Sequence, residues 1–468
     1  MLQKIINRIR FWISLWGGLF FLYLFRYTGH DRDDRPGSAA LRLYPGFLKD
    51  VAKPKLTIVV TGTNGKTTIS SVITDILRMQ GMTVSYNDWG ANARPGQARC
   101  LLDAVNIFNK PFKDAAVIET DELTSPSTIP AMNPNYIIVN NLARDSMLRN
   151  GHPENIYYRL NQAINNTPNA VVIVNADDPL CHGLGEQNRH LHFGMEDQHT
   201  PISNTILDDF AVCPVCGATP NYRFRNARHI GDYECPGCGF TAPHRDYYAT
   251  EVDYENRSIL IREPDGSQHR YPLISDALHN AYNIVTVVAT LRDLGISPEE
   301  LARCLSQVHL PVSRERRVNA NGIELITHIA KGQNPTATST VLEYISKDDS
   351  QMEVVLLLDE VFKDPLKTES ISWIWEADFE FLNRSNIKKF IVAGDRHLDH
   401  KLRLLTAGIP EEKIVCIRHE EDVPQYVDIR GIDKIYLLHD VNAISRTRRI
   451  CDAIQNRIEQ EGGGNHDH

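Results

Sequence analysis

The eight residues Thr61-Gly62-Thr63-Asn64-Gly65-Lys66-Thr67-Thr68 combine glycines, hydroxyls and a cation in a pattern suited to phosphate. They follow the apolar run Leu56-Thr57-Ile58-Val59-Val60 and precede a helical pattern of Ile69, Val72, Ile73, Ile76 and Leu77. Strand, glycine-rich turn and helix form the setting in which backbone N–H groups and a helix N-terminus hold phosphate. There Gly62 and Gly65 let the backbone wrap a polyphosphate, with Thr63, Asn64 and Thr68 in the same cradle. Lys66 reaches the terminal phosphates, and the Thr67 hydroxyl ligates a divalent metal. The common loop has about four residues between its glycines; here only Thr63 and Asn64 stand there, so the loop is a compact variant.

A second constellation is metal-ligating. Cys213-Pro214-Val215-Cys216-Gly217 and Cys235-Pro236-Gly237-Cys238-Gly239 give two CxxC pairs with eighteen residues between them. Each glycine lets backbone N–H groups turn toward the sulfurs, and four thiolates suit structural Zn²⁺ with no open position. A redox dithiol would stand once, at a helix start. Cys100, Cys181, Cys304, Cys416 and Cys451 read as packed thiols. Tyr222, Arg223, Arg225 and Arg228 lie between the knuckles, but a net charge of −9 argues against a nucleic-acid surface.

Other polar residues stand where apolar runs end. Glu119 closes Ala115–Ile118 and leads into Thr120, Asp121 and Glu122, a carboxylate cluster suited to hold Mg²⁺ opposite Thr67. Asn140-Asn141 closes Tyr136–Val139, with Arg144-Asp145 one helical turn on. Asn175-Ala176-Asp177-Asp178-Pro179 closes Ala170–Val174 and reads equally as a ligand-facing segment or a plain turn. His279, Asn280 and Asn283 share one turn of a helix opening near Ser275, so they can face a nucleotide together.

The elements that must position these residues follow an α/β pattern. From residue 51 onward apolar strand-like runs alternate with helical patterns, which predicts a parallel sheet covered on both faces, with ligands at the carboxyl ends of the strands. At 468 residues the chain exceeds one ordinary core. A central domain over 51–310 carries the ribbon insertion at about 208–245, and a second α/β domain spans 311–468, with strand-like Val354–Leu358, Lys389–Ala393, Ile414–Ile417 and Lys434–Leu438. Residues 1–50 read as an apolar segment and a polar linker. Phe11–Phe25 is almost wholly apolar and flanked by Arg8, Arg10 and Arg26. Its fifteen residues fall short of a perpendicular span, and Gly17-Gly18 weakens a helix, so an interfacial or short membrane anchor, a helix packed on the protein and a signal segment all remain open. The flanking arginines with Trp12, Trp16 and Tyr23 favour the anchor.

Together these motifs resemble the Mur ligase family, and within it the ligase-like subunits of lipid II isoglutaminyl synthases. Thr61–Thr68 resembles the family's ATP loop, Ile118–Glu122 the branch's carboxylate stretch, Asn140–Asp145 its TNxxRD segment and Asn175–Pro179 its NADDP. Ser372-Trp373-Ile374-Trp375 with Asp378-Phe379-Glu380 is similar to its SWIWD-x-DFE signature, and the four-cysteine insertion is also shared. The resemblance implies a Mur ligase-like fold that phosphorylates a carboxylate with ATP and Mg²⁺ and lets an amine attack the acyl phosphate. It further implies a GatD-like glutaminase subunit in a heterodimer as ammonia source, lipid II or a related peptidoglycan precursor as substrate, and the inner face of the cytoplasmic membrane as location. Lys66 and Glu119 are implied to be catalytic, and Arg314 to contact the nucleotide. Asp364 is the closest match to the aspartate that completes the glutaminase triad. The pattern departs at Asp359–Pro365, at Pro311–Arg317 in place of FGRxE, at Ile329–Pro335 in place of LAKNP, and at Leu148 in place of an aspartate.

Overall fold

Strand β1 (Leu56–Thr61) lies between β3 (Ala115–Glu119) and β4 (Tyr136–Val139), parallel to both, and its β-branched run is buried on both faces. Val60 pairs with Glu119 and Thr61 with Val139, so the turn leaving β1 opens between Glu119 and Asn140. The computed structural model describes the chain apart from residues 1, 31–32, 89–90, 146–151, 200–204, 207, 275–277, 309–314, 331–333, 359–370, 441–442 and 464–468. It holds two compact units, one of Met1–Ala143, His152–Asn204 and Asp208–Leu310, the other of Arg144–Gly151, Thr205–Leu207 and Pro311–His468.

The first unit opens with α1 (Leu2–Tyr27), α2 (Arg35–Leu43) and α3 (Phe47–Asp50). Around β1, β3 and β4 it adds α4 (Lys66–Met79), β2 (Val84–Tyr86), α5 (Arg94–Ala104), α6 (Ser125–Met132), α7 (Pro153–Asn165), β5 (Val171–Asn175) and β6 (Arg189–Met195). The hairpin β7 (Asn221–Ala227) and β8 (Ile230–Glu234) belongs to the cysteine insertion, and β9 (Tyr247–Asp253), β10 (Ser258–Arg262), β11 (Gln268–Pro272), α8 (Leu278–Asp293) and α9 (Pro298–Leu305) follow. Its main sheet runs β11-β10-β9-β6-β5-β4-β1-β3-β2 and is parallel except where β10 pairs antiparallel with both neighbours. Ile58 and Val60 pack with Ile69, Val72 and Ile76 of α4 and Val285 and Val288 of α8; Val59, on the other face, packs with the cluster containing Leu101, Leu160 and Leu15.

At the N-terminus the apolar segment is a longer helix than expected, and the expected linker is structured. The helix runs from Leu2 to Tyr27, longer than Phe11–Phe25, because apolar residues at Leu2, Ile5, Ile6 and Ile9 continue its pattern. One face, with Phe11, Leu15, Leu19 and Leu22, is buried in the unit's core. Gly18 is a close-approach residue rather than a weak point: a Cβ there would lie 2.8 Å from Leu102 Cδ1 and 3.2 Å from Ala40 Cβ. The polar stretch read as a linker holds α2 and α3, whose Ala40, Phe47 and Leu48 are buried against the same core. By length and composition α1 is also apolar enough to cross a membrane.

The second unit contains β12 (Glu315–Ala320), β13 (Ile323–Ile329), α10 (Pro335–Ser346), β14 (Met352–Leu357), α11 (Ser372–Glu376), β15 (Ile387–Ala393), α12 (His397–Thr406), β16 (Ile414–Ile417), α13 (Val423–Tyr426), β17 (Lys434–His439) and α14 (Ile444–Gly463). Its sheet runs β12-β13-β17-β14-β15-β16, parallel except for β12. In β14 Val354 and Leu356 pack on one side, Val355 and Leu357 on the other, so the expected buried strand has a core on each face.

Candidate nucleotide and metal sites

Backbone geometry explains both glycines of the loop. Gly65, immediately before α4, has φ 88°, and a Cβ on it would stand 2.4 Å from Asn283 Oδ1 and 2.5 Å from Asn140 Nδ2. Gly62 has φ 107° and a Cβ there would stand 2.8 Å from the Asn141 carbonyl oxygen. The loop is tied down by the segment leaving β4: Thr63 N donates to Asn141 O at 2.8 Å, Asn64 N to Asn141 Oδ1 at 3.1 Å, and Ala143 N to Thr63 Oγ1 at 3.0 Å. Asn140 Nδ2 donates to Asn64 O at 3.0 Å and to Asn283 Oδ1 at 2.8 Å, while Thr286 Oγ1 donates to Asn140 Oδ1 at 3.1 Å. Asn283 Nδ2 in turn donates to Asn280 Oδ1 at 3.1 Å, so α8 brings Asn283 to the loop with Asn280 beside it.

The chemistry-bearing side chains converge at the start of α4. Lys66 Nζ pairs with Glu122 Oε1 at 2.7 Å and also donates to the carbonyl oxygens of Gly62 and Thr63. Thr67 Oγ1 donates to Glu119 Oε2 at 2.8 Å. Glu119 is clamped by Asn87, which accepts from Glu119 N at 2.8 Å and donates to Glu119 O at 2.9 Å, and Asn92 Nδ2 reaches Glu119 Oε1 at 3.5 Å. Thr68 is half-buried one residue on. Burial pushes the Glu122 carboxyl above its ordinary range, against the Lys66 ammonium that favours its charged form. Thr61 Oγ1, Thr120 Oγ1 and Glu122 Oε2 are buried without a hydrogen-bond partner among the described residues. Unpartnered oxygens beside an ammonium, two carboxylates and a helix N-terminus are a donor set that takes a magnesium-bound phosphate. Glu122 as the partner of Lys66, and Asn87 and Asn92 as the clamp on Glu119, lie outside the loop motif; their sequence signal is only a polar residue at or just past a strand end.

The four cysteines form one cluster. Their sulfurs all lie within 4.8 Å of one another, with Cys213 Sγ 3.6 Å from Cys238 Sγ and Cys216 Sγ 3.4 Å from Cys235 Sγ. Sulfurs held about 2.3 Å from a tetrahedral Zn²⁺ stand about 3.8 Å apart, so the set fits that ion. Gly217 and Gly239 have φ 75° and 76°. N–H groups of Ala218, Gly237, Cys238 and Phe240 are aimed at sulfurs of the cluster. Asp177 and Asp178 act as the bracket of this insertion: Gly231 N donates to Asp177 O at 2.8 Å, Arg245 Nε to Asp177 Oδ1 at 2.5 Å and Tyr282 Oη to Asp177 Oδ2 at 2.9 Å. His229 Nε2 lies 3.3 Å from Asp178 Oδ1 and 3.0 Å from Leu142 O, and Leu142 N donates to Asp178 Oδ2 at 2.7 Å. Although burial opposes its charge, Asp178 holds the His229 imidazole above its ordinary range. The NADDP segment is thus buried structural wiring.

In the second unit Asn334 caps α10 through Ala337 N and donates to Asp145 Oδ1 at 2.8 Å, while Arg144 Nη1 lies 3.7 Å from Glu376. Most of the SWIW and DFE residues are core and brackets: Trp373, Ile374 and Phe379 are buried, Asp378 N donates to Ser339 Oγ at 2.9 Å, and Glu380 pairs with Arg403 at 2.7 Å, whereas Trp375 is exposed. Arg314 and Asp364, expected to serve the nucleotide and a partner's triad, lie outside the described residues.

Comparison with known proteins gives this arrangement its class. Residues 60–213 match the Mur ligase middle domain and residues 332–444 the MurT ligase C-terminal domain. The chain is thus Mur ligase-like in its middle domain and MurT-like in its C-terminal domain. It is 29% identical over 423 residues to the lipid II isoglutaminyl synthase (glutamine-hydrolyzing) subunit MurT of Streptococcus pneumoniae, covering 90% of this chain and 92% of that protein. Among solved structures, the pseudomurein peptide ligase type C from Methanothermus fervidus superposes with a TM-score of 0.64 at 22% identity, covering 87% of this chain and 80% of the other. MurF ligase from Thermotoga maritima in complex with ADP superposes with a TM-score of 0.58 at 15% identity, covering 91% of this chain and 85% of the other. These structures share the fold.

Proposed function

We propose that this chain is the ligase-like subunit of an amidotransferase that converts the D-glutamate α-carboxylate of the lipid II stem peptide to an amide, driven by ATP and using ammonia from a GatD-like glutaminase in a heterodimer. The observation that carries the reading is the convergence of Lys66, Thr67, Glu119 and Glu122 on one loop in a chain that also matches the MurT ligase C-terminal domain. A carboxylate oxygen attacks the γ-phosphorus of ATP and ADP leaves; ammonia then attacks the acyl carbon, phosphate leaves, and loss of a proton gives the amide. The loop from Gly62 to Thr68 cradles the phosphates, and Lys66 neutralises charge on the transferring group. Asn280, Asn283 and Arg314 serve the nucleotide. Thr67 and Glu119 would hold Mg²⁺, which would supply further charge neutralisation, and the four thiolates would hold a structural Zn²⁺. Asp364 completes the partner's triad. The substrate is lipid-linked and α1 carries an exposed apolar face, so the site of action is the inner face of the cytoplasmic membrane.

A second reading, Mur-type ligation on another carboxylate, is favoured by the departures at Pro311–Arg317 and Ile329–Pro335. The test is to co-express the chain with the glutaminase encoded nearest to it and supply lipid II, ATP, Mg²⁺ and glutamine. Mass spectrometry should show one stem-peptide carboxyl converted to amide. A folded chain that binds ATP yet forms no amide overturns the first reading, and ADP release with another carboxylate precursor supports the second. ATP binding without turnover on any precursor would make the chain a membrane-associated scaffold.

A further inference from the structure

The N-terminal helix has two apolar faces, and only one is used. Phe11, Leu15, Leu19 and Leu22 fill the core, and Ser14 Oγ donates to Ala40 O at 2.7 Å on the same side. On the opposite side Ile9, Ile13, Trp16 and Phe20 are 54%, 51%, 53% and 64% exposed. Beside this row the segment between α5 and β3 exposes Ile107 and Phe108. Trp16 Nε1 donates to Ile107 O at 3.0 Å, and Ile9, Trp12, Ile13, Trp16, Ile107 and Phe108 line an apolar cavity of about 460 Å³. Helix and loop therefore form one continuous apolar surface, of a kind that soluble proteins leave exposed only for a purpose.

We propose that this composite surface lies on an anionic lipid bilayer, with α1 in the plane of the membrane rather than through it, a proposal that rests on the membrane location given above. Spanning would require α1 to leave the core positions of Phe11, Leu15, Leu19 and Leu22 and to break the contacts of Ser14 with Ala40 O and of Arg10 with Leu43 O. Lying flat keeps all of them and buries the opposite row in the interface. Charge selects the occupant. Residues 2–27 and 105–114 carry Lys4, Arg8, Arg10, Arg26, Lys110 and Lys113 against the single carboxylate Asp114, with Arg26 paired to Asp103, so this face stays cationic in a chain of net charge −9. A second copy docked on the same face would bring these cations together, whereas acidic headgroups are attracted. Trp12, Trp16 and Tyr23 are the amphipathic rings that sit at headgroup level.

The test uses the full chain and phosphatidylcholine vesicles with and without phosphatidylglycerol. The chain should co-sediment with the anionic vesicles, be released by high salt and be stripped by alkaline carbonate. Ile13→Glu and Phe108→Glu, both at exposed positions and on the two sides of the cavity, should each weaken partitioning by about tenfold or more while the circular dichroism stays unchanged. Vesicle binding that neither substitution weakens overturns this surface but leaves the membrane location standing. Loss with Ile13→Glu but not with Phe108→Glu removes the loop from it. Resistance to carbonate means a span. A wild-type chain that ignores vesicles sinks the membrane location itself, and a dimer dissolved by either substitution makes a second copy the occupant.

Discussion

At the scale of single residues, the pair Lys66 and Glu122 separates stability from chemistry. Both are largely buried, so Lys66→Ala leaves a carboxylate without its cation, and we expect a loss of about 3 kcal/mol in urea unfolding. Turnover of ATP should fall by about 10²–10³-fold or more. Adding Glu122→Gln to Lys66→Ala should return most of the stability and none of the activity; recovery of turnover would remove Lys66 from its role. Gly65→Ala forces a Cβ to within 2.4 Å of Asn283 Oδ1, so it should abolish nucleotide binding measured by calorimetry even where the chain still folds.

At the scale of elements, the ribbon and β14 each carry a measurable consequence. Removal of metal by a chelator, or Cys213→Ser with Cys235→Ser, should cost one zinc per chain by elemental analysis and lower the unfolding temperature of the first unit, because β7 and β8 are wired to Asp177 and Asp178. In the second unit, burial pushes Glu353 of β14 up to about 7 despite Lys389 at 3.4 Å. A carboxyl raised above its unfolded value contributes stability at low pH and loses it as pH rises through about 7. Glu353→Gln should therefore raise the unfolding midpoint at pH 8 and leave it nearly unchanged at pH 4. Such elements were unevenly legible in the sequence. The glycine loop and the cysteine pairs are readable because a few adjacent residues set their geometry, and the β-branched runs of β1, β4 and β5 are readable because central parallel strands demand them. Asp177 and Asp178 were ambiguous because their partners lie far along the chain, Arg245 at 68 residues and Tyr282 at 105. The docking of α1 is one of three open readings in the sequence for a different reason: a helix apolar on all sides reads the same whether its second face meets protein or lipid.

At the scale of the whole molecule, a phosphate loop at the end of β1, a carboxylate cluster at the end of β3, a four-thiol cluster and a MurT-type C-terminal domain together suit a carboxylate-activating enzyme. In the function proposed above, an acyl phosphate forms before ammonia attacks. The most direct measurement supplies lipid II carrying ¹⁸O at both oxygens of the D-glutamate α-carboxyl, with ATP, Mg²⁺ and the glutaminase, and follows both products by mass spectrometry. Each amide formed should be matched by one ¹⁸O atom in inorganic phosphate, since the oxygen that attacks phosphorus leaves with it. Amide accompanied by phosphate free of ¹⁸O would contradict it.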